Sequence, residues 1–583
     1  MTNYKRFLLV MLVLAWLAVP TNAGQGAGTA DSALESSAAD SCARLATAKV
    51  EWPDATTHIK QSDWHADGSQ VALPMVTPVT LPAHCELTGA MQDRMGVDGQ
   101  HYAIRFHLRL PLRWNGKFLF EGGGGTEGDL GSAIGATTPG APPAIAQGYA
   151  VVSQDSGHDN ATNSVPSRGG NVAFGFDPEA RANYGGASLR LVSETAKEII
   201  HSYYGRLPEH SYFVGCSKGG QEGMAFAQRF PDEFDGIVAG APGFSLPRAA
   251  VAEAWDTQAF GSLVEAIGAK TFNPKLLPTS FSETQFRTVR EAILAACDAD
   301  DGVQDGITSN FESCTWPRVA KELNRRNCST SKTDSCLSDA QISVLGRVHW
   351  GPKNNRDKSL YSDWPIDAGM GSDGWRIWKI GPAMSGFPGI NVAMGGPALA
   401  AIFTTPPTTL NADPKAALDF VLSFDFDRDA PKIYATQAPF KRSAWDAVSA
   451  RSPHLEEFRA RGGRMIVYQG ASDPVFSLND TLAWYREVEK LNTESSADFV
   501  RVFPVPGMAH CNGGPATDQF DAFGALVDWV EKGSAPDRII AKAGANSPWP
   551  GRTRPLCPYP ETPHYKGSGS IEDAENFVCR SGR

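Results

Sequence analysis

A short run around Ser217 constrains the fold of this chain more than any other feature. Strand-like residues 211–214 lead into Gly215-Cys216-Ser217-Lys218-Gly219, and a helical pattern follows over residues 220–230. Glycines on both sides of a serine permit the sharp strand-to-helix turn called a nucleophile elbow, which lifts the hydroxyl clear of the backbone. The five-residue pattern alone also fits an ordinary strand-to-helix turn. The predicted strand before it and helix after it favour the elbow, because this context is what confirms the motif. Together they predict a serine nucleophile at the carboxyl end of a strand.

Strands and helices alternate on both sides of this motif. Strand-like runs occupy residues 101–110, 117–121, 149–154, 236–239, 464–468 and 500–505, and helical patterns occupy residues 187–204, 478–490 and 520–531. Such alternation predicts a mostly parallel sheet covered on both faces, and with the elbow it indicates an α/β-hydrolase fold. The alternation is lost in a segment rich in Gly, Pro and Trp. We therefore predict a catalytic domain of residues 24–243 and 449–583, with an inserted lid domain of residues 244–448.

The first 23 residues have the pattern of a secretory signal peptide. Lys5 and Arg6 precede an apolar run over residues 7–19, and the small residues at 21–23 offer a cleavage site before Gly24. The run is short for a membrane helix and no later stretch is long enough, so we expect no stable membrane span; an uncleaved anchor is the alternative. Residues 24–40 are typical of a flexible lead-in. The chain is expected to be secreted or periplasmic.

Composition narrows the classes of partner. The formal net charge is -11 over 583 residues and no basic stripe is present, so nucleic acid is not an expected partner. Ten cysteines in an exported chain indicate disulfides. The absence of a Cys-x-x-Cys pair argues against zinc or thioredoxin-type chemistry. No sequence feature indicates an oligomeric state.

Two residues beyond the insertion complete a candidate triad with Ser217. A serine hydroxyl needs a general base, usually a histidine oriented by a carboxylate, and α/β-hydrolases carry these in the order Ser, Asp or Glu, His. Asp473 follows the strand at residues 464–468, and His510 follows the strand at residues 500–505. Taken singly, each is more often a surface aspartate or a structural histidine. Their order and their positions after strand ends predict the triad Ser217, Asp473 and His510.

Two cysteines flank the predicted nucleophile and base. Cys216 immediately precedes Ser217, and Cys511 immediately follows His510. A disulfide between them would hold their Cα atoms about 5.5 Å apart. We therefore predict a covalent clamp that keeps the two catalytic loops within hydrogen-bond reach.

A glycine-rich loop is the candidate for the oxyanion hole. The negative oxygen of a tetrahedral intermediate needs preorganised N–H donors. One is expected from the amide of Lys218, directly after the nucleophile. The other is expected from residues 122–125, with Gly125 preferred and Gly124 next. The alternative is a flexible glycine-rich turn.

A cluster of aspartates in the insertion is a candidate cation site. Closely spaced carboxylates with intervening glycines suit a hard cation such as Ca²⁺. We assign the carboxylates of Asp298, Asp301 and Asp305 and the carbonyls of Val303 and Ile307 as ligands. The spacing is not that of an EF-hand, and a solvated acidic turn is the alternative. The ion would be structural, since nothing in the sequence ties it to the triad, and no organic cofactor is expected.

Five blocks of this sequence resemble the tannase and feruloyl esterase family. They are EGGGGT at 121–126, SGHDN at 156–160, GCSKGG at 215–220, the aspartate cluster at 297–307 and PGMAHC at 506–511. The likeness runs from about residue 42 to residue 579. It implies an α/β-hydrolase with an inserted lid, a lid Ca²⁺, and hydrolysis of esters of aromatic acids such as ferulate, gallate or terephthalate. It also implies the disulfides Cys42–Cys85, Cys216–Cys511, Cys297–Cys314, Cys328–Cys336 and Cys557–Cys579.

The resemblance also bears on the acyl group of the substrate. By position it implies substrate contacts at Trp378, Leu246, Val475 and Phe403, and an indole suits an aromatic ring. Members that cleave the terephthalate half-ester grip its carboxylate with a lid arginine. Here residues 380–414 contain no Arg, Lys or His, and the matching position is near Ile390 or Asn391. Losing such a charge-assisted contact costs about 1.5–3 kcal/mol of binding.

We therefore expect an exported serine esterase that acts on neutral aromatic esters of the feruloyl or other phenolic type. Hydrolysis of the terephthalate half-ester or of galloyl esters is the alternative within the family. An alternative of a different class is a catalytically silent, calcium-stabilised binding protein, and a third is a peptidase on the same scaffold.

Overall fold

The computed structural model describes residues 26–47, 50–72, 78–137, 141–265, 273–331, 333–382, 387–492 and 496–581. The predicted signal peptide, residues 1–23, lies outside the described residues. Within these ranges, no helix combines the length and apolarity needed to cross a membrane.

The strands follow the order expected for an α/β-hydrolase. In chain order they are β1 (His58–His65), β2 (Ser69–Val71), β3 (Val79–Leu81), β4 (His84–Met95), β5 (His101–Pro111), β6 (Lys117–Glu121), β7 (Ala150–Gln154), β8 (His210–Cys216), β9 (Gly236–Gly240), β10 (Arg464–Gly470), β11 (Val500–Val505), β12 (Ile539–Lys542), β13 (Thr553–Leu556), β14 (Glu561–Tyr565) and β15 (Phe577–Ser581). A nine-stranded sheet has the spatial order β1-β4-β5-β7-β6-β8-β9-β10-β11. Pairing is antiparallel from β1 to β7 and parallel from β7 to β11. The predicted mostly parallel sheet is confirmed.

The helices cover this sheet and fill the insertion. In chain order they are α1 (Gly26–Leu45), α2 (Pro178–Ala182), α3 (Leu189–Tyr204), α4 (Lys218–Arg229), α5 (Leu246–Glu265), α6 (Glu283–Cys297), α7 (Trp316–Arg325), α8 (Asp339–Trp350), α9 (Asp373–Lys379), α10 (Gly396–Ala401), α11 (Pro414–Ser423), α12 (Ala444–Val448), α13 (Glu456–Ala460), α14 (Leu478–Leu491) and α15 (Ala522–Lys532).

Both faces of the parallel strands are buried, which explains their nearly continuous apolar sequences. Successive side chains of a strand point to opposite faces. In β6, Phe118 and Phe120 therefore pack with the residues of α3 and α4, while Leu119 packs on the other face with residues of α15. This two-sided burial fixes the carboxyl ends of the strands, from which the catalytic loops emerge.

The chain leaves the sheet between β9 and β10. In that interval it forms α5 to α13, and the buried side chains of α5 to α12 make most of a separate apolar cluster. The loss of strand-helix alternation in the sequence reflects this helical excursion. The limits of the lid domain, residues 244–448, and its role as a lid stay predictions.

Two terminal segments differ from the sequence expectation. The predicted flexible lead-in is instead helix α1, which packs against β1 and α3 and is tied by Cys42 to Cys85 in β4. Its alanines are strong helix formers, and tertiary contacts supply the stability that a polar helix lacks alone. From about residue 545 onward the sequence pattern predicts a loop-like tail, but the structure contains β13, β14 and β15 there. β13 and β14 each contain a proline, which cannot donate a backbone hydrogen bond and therefore argues against a strand when only the sequence is considered.

All ten cysteines are paired, with the partners that the resemblance implied. The bonds are Cys42–Cys85, Cys216–Cys511, Cys297–Cys314, Cys328–Cys336 and Cys557–Cys579.

Candidate active site

The turn from β8 into α4 presents Ser217 as a nucleophile elbow does. Ser217 has φ 66° and ψ -119°, a conformation that costs energy in a residue with a side chain. The helix begins at Lys218, two residues earlier than predicted, so its amino-terminal amides start directly beside the serine. A Cβ atom on Gly219 would lie 2.7 Å from the carbonyl oxygen of Gly123. Only glycine at that position lets the elbow and the glycine loop approach so closely.

The structure brings Ser217, His510 and Asp473 into one hydrogen-bonded chain. His510 Nε2 lies 2.8 Å from Ser217 Oγ, and His510 Nδ1 lies 3.0 Å from Asp473 Oδ2. A carboxylate only accepts, so Nδ1 carries the proton and Nε2 is left to accept the serine hydroxyl proton. Asp473 is buried, and its Oδ1 also accepts the amides of Val475 (2.8 Å) and Phe476 (3.2 Å). These bonds orient the carboxylate toward the imidazole.

A disulfide joins the two loops on either side of the nucleophile–base pair. The Cys216–Cys511 bond is formed, with Cα atoms 6.1 Å apart. The loop carrying His510 is thereby attached covalently to the elbow.

A buried aspartate makes a second connection, which the sequence did not indicate. Asp367, from the insertion, is fully buried and accepts the amide of Gly507 (3.1 Å) and the hydroxyl of Ser472. It therefore holds the His510 loop and the Asp473 loop together. Its Oδ2 also accepts the hydroxyl of Thr308 (2.7 Å), which directly follows the predicted cation ligand Ile307. Asp367 therefore also connects the segment directly after the aspartate cluster to the two catalytic loops, through partners 59, 105 and 140 positions away in the chain. 

The candidate oxyanion donors are backbone amides at the elbow and in the glycine loop after β6. The amide of Lys218 is the first of α4 and has no helical carbonyl partner. In the glycine loop, the amide of Gly122 donates to Val214 (2.9 Å) and that of Gly123 to Glu222 (2.9 Å). The described contacts assign no acceptor to the amides of the next two glycines, the predicted Gly125 and its alternative. Gly125 and Lys218 line the same cavity as Ser217.

The side chain of Lys218 enters a buried ionic cluster that sequence reasoning missed. Its Nζ lies 3.0 Å from Glu127 Oε1 and 3.3 Å from Glu222 Oε1, and all three residues are buried. The ammonium is not oriented for a regular hydrogen bond to either acid, so the contacts are ion pairs by distance. Burial, and then the charge of Glu222, raise the pKa of Glu127 well above its usual value. Two acids around one base thus retain a proton beneath the glycine loop.

The predicted substrate contacts surround one cavity beside Ser217. Trp378, Leu246, Val475 and Phe403 all line it, together with Phe476 and Tyr184, which the sequence did not single out. The Trp378 ring lies 5.2 Å from the His510 ring, edge to face. Lys218 is the one basic residue among the lining residues of the described chain, and its ammonium is turned into the glutamate cluster. The lining is therefore apolar around the nucleophile, with no cation that faces an acyl carboxylate.

The three predicted cation-binding carboxylates are buried close together. Asp298 accepts the amide of Gly306 (3.1 Å), Asp305 forms an ion pair with Arg554, and Asp301 Oδ2 has no hydrogen-bond partner. Burial raises the pKa of Asp301 to about 7, and the charges of Asp305 and Asp298 add to the rise. The carbonyl of the predicted ligand Ile307 accepts one hydrogen bond, from Ser309, and the carbonyl of Val303 stays a prediction.

The sheet, the elbow and the Ser217–His510–Asp473 chain define an α/β-hydrolase built around a serine nucleophile. A family model described as tannase and feruloyl esterase matches residues 85–580. The chain belongs to the tannase and feruloyl esterase family.

Individual relatives agree with this assignment. The chain is 42% identical over 552 residues to the mono(2-hydroxyethyl) terephthalate hydrolase of Piscinibacter sakaiensis, covering 91% of this chain and 89% of that protein. Among solved structures, feruloyl esterase B from Aspergillus oryzae aligns with a TM-score of 0.73 at 24% identity, over 93% of this chain and 100% of that one. Tannin acyl hydrolase from Aspergillus niger aligns with a TM-score of 0.63 at 21% identity, over 92% and 94% of the two chains. The two structures show that the fold is shared.

Proposed function

We propose that this carboxylic ester hydrolase cleaves esters of aromatic acids through an acyl-enzyme on Ser217. The observation that carries the proposal is the 2.8 Å contact of Ser217 with His510, which is itself oriented by Asp473, at an apolar cavity of aromatic side chains. An aromatic ring is the group that such a lining binds best.

The reaction follows from the positions of these groups. His510 Nε2 takes the proton of Ser217 Oγ as the oxygen attacks the ester carbonyl, and Asp473 stabilises the imidazolium that forms. The amides of Lys218 and Gly125 hold the oxyanion. His510 then gives the proton to the departing alcohol, and the same residue activates the water that releases the aromatic acid. The chain supplies every proton transfer in this scheme, so no organic cofactor is required.

The test is removal of the nucleophile with the elbow left intact. Ser217→Ala should abolish turnover of methyl ferulate and labelling by a serine-directed phosphonate, while the melting temperature stays close to that of the unaltered protein. A matched control is Ser156→Ala, a buried serine outside the triad. A phosphonate adduct that persists in the Ser217 variant would contradict the assignment of the nucleophile.

The acyl group is proposed to be neutral and phenolic. The absence of a basic side chain facing the described cavity supports this, because an anionic acyl group would be desolvated there without a partner. The terephthalate half-ester is the second candidate, favoured by the 42% identity to the Piscinibacter sakaiensis hydrolase; galloyl esters are a third. A panel of methyl ferulate, methyl gallate, methyl benzoate and the terephthalate half-ester decides among them. A strong preference for the anionic half-ester would overturn the proposal of a neutral acyl group.

A catalytically silent binding protein is the alternative of a different class. It predicts aromatic-ester binding without phosphonate labelling or turnover. The hydrogen-bonded triad argues against it, and the labelling experiment separates the two. Comparison of an amide with the matching ester tests the peptidase alternative.

We further propose a structural Ca²⁺ held by Asp298, Asp301, Asp305 and the carbonyls of Val303 and Ile307. The orphaned Oδ2 of Asp301, and the charges of Asp305 and Asp298 that act on this buried carboxyl, support this, although the ion pair of Asp305 with Arg554 already offsets one charge. A bound Ca²⁺ would neutralise this repulsion. A chelator should lower the melting temperature, and Asp301→Asn should remove that response and the calorimetric binding of Ca²⁺. A chelator that leaves the melting temperature unchanged would contradict the site.

We propose that the protein is exported. Five disulfides support an oxidising compartment. Amino-terminal sequencing of the mature protein tests cleavage after Ala23, and fractionation separates periplasm from medium.

A further inference from the structure

One acidic side chain stands out in the apolar cavity beside the nucleophile. Leu246, Ala249, Ala250 and Glu253 of α5 all line that cavity. Their spacing is that of one helix face, so Glu253 continues a stripe of apolar and small side chains. The two alanines leave room for a flat group, and Glu253 stands at the end of the stripe.

The Glu253 carboxyl is buried and has no partner that would account for it. The residue is 7% exposed. Among the described residues, the hydrogen bond made by Glu253 is that of its backbone carbonyl, which accepts the Thr257 hydroxyl (2.8 Å). The nearest buried base, Lys379, forms its ion pair with Asp256 instead. A buried polar group without a partner is costly, so it calls for a ligand or a structural reason.

The backbone opposite Glu253 leaves space for this carboxyl. A Cβ atom on Gly395 would lie 1.8 Å from Glu253 Oε2, so any larger residue at this position would displace the acid. Gly395 lines the same cavity. The carboxyl is therefore packed against bare backbone at the wall of the cavity that receives the acyl group.

We propose that Glu253 is a specificity-determining residue that binds a hydroxyl substituent on the aromatic ring of the acyl group. This proposal rests on the proposed esterase function. An otherwise apolar pocket with one polar group fixes the orientation of its ligand through that group. The ring would lie among the apolar side chains near Trp378, with its ester at Ser217 and its hydroxyl at Glu253.

The protonation of Glu253 fits a phenol better than an anionic group. Burial raises the pKa of Glu253 to about 8; the charge of Lys379 lowers it and that of Asp256 raises it. A protonated carboxyl both donates and accepts, and a phenolic hydroxyl does the same, so the two can form a reciprocal pair. A carboxylate substituent could pair only with the protonated acid and would be repelled by the ionised one.

The experiment compares pairs of esters that differ by one hydroxyl: methyl 4-hydroxycinnamate with methyl cinnamate, and methyl 3- and 4-hydroxybenzoate with methyl benzoate. The unaltered protein should prefer a hydroxylated member in kcat/KM. Glu253→Leu should lower kcat/KM for that member about tenfold to hundredfold more than for the plain ester, so that the preference for the hydroxyl is lost. Glu253→Gln, which keeps an acceptor and a donor in the same volume, should retain most of the preference.

Binding to the Ser217→Ala protein provides a readout that does not depend on turnover. Calorimetry should show tighter binding of the hydroxylated ester, and the added Glu253→Leu change should remove the difference. An equal loss for both members of every pair in kcat/KM and in binding would make Glu253 a structural residue and overturn the proposal. A protein that binds the pair selectively through Glu253 but hydrolyses neither would refute the esterase function and leave the binding assignment intact.

Discussion

Replacing Cys216 and Cys511 together by serine tests how far covalent attachment of the two loops sets the catalytic geometry. The bond spans 295 residues, and a chain-entropy estimate for a loop of that length gives about 6 kcal/mol of stabilisation. The Cys328–Cys336 bond spans 8 residues, for which the same estimate gives about 2.5 kcal/mol. Removal of the second bond is the matched control, because it lies in the insertion and does not border a triad residue.

The catalytic effect should exceed what lost stability explains. The serine–histidine contact is 2.8 Å, so a shift of about 1 Å breaks the hydrogen bond and costs about hundredfold in rate. Asp367 still holds Gly507, three residues before His510, at 3.1 Å, which limits the movement of the loop. We therefore expect kcat for methyl ferulate to fall tenfold to hundredfold with little change in KM, and the melting temperature to fall as well.

The assay is steady-state hydrolysis and phosphonate labelling well below the melting temperature of each variant, with folding checked by circular dichroism. The control variant should lose stability but keep kcat within about twofold. Full kcat in the folded Cys216→Ser, Cys511→Ser protein would refute the reasoning, since the remaining contacts would then suffice to align the pair.

Three further predictions concern buried acids and bases. Asp367→Asn places an amide donor among groups that all donate, including the amide of Gly507. We therefore expect kcat to fall about tenfold with KM nearly constant. An unchanged kcat would show that Asp367 does not position the loops. Lys218→Met leaves the buried Glu127–Glu222 pair, which shares one proton, without a counter-charge, and should destabilise the fold by about 3–5 kcal/mol in urea unfolding. The variant should nevertheless retain the backbone amide and far more activity than Ser217→Ala. The pKa of Glu253 is raised from 4.5 to about 8, so the folded state binds this proton more tightly than the unfolded state does. The free energy of unfolding therefore falls as the pH rises from about 4.5 to about 8, by at most about 1.4 kcal/mol per pKa unit. Glu253→Gln removes this contribution, so its melting temperature relative to the unaltered protein should rise between pH 5 and pH 9; a constant difference would contradict the shift.

Local patterns were sufficient for much of the fold. The strands at Lys117–Glu121 and Val500–Val505 have the predicted limits, because both are buried on two faces and carry uninterrupted apolar runs. The sequence reading failed at the two ends of the chain, where the segments have no strong apolar pattern. There α1 and β13 to β15 depend on packing and on disulfides rather than on local preference.

The candidate site divides in the same way. The elbow, the order of the triad and the cysteines beside Ser217 and His510 are local features, readable from adjacent residues because backbone turns and strand ends depend on near neighbours. Asp367, Glu127 and Glu253 carry no such signal. Each acquires its surroundings from residues far away in the chain, and only burial in the folded protein makes a charge or an unpaired carboxyl significant. The sequence alone therefore determined the candidate catalytic residues, because their signals are local. The tertiary structure decided which groups align them and which acid lines their cavity, because only folding brings residues distant in the chain together.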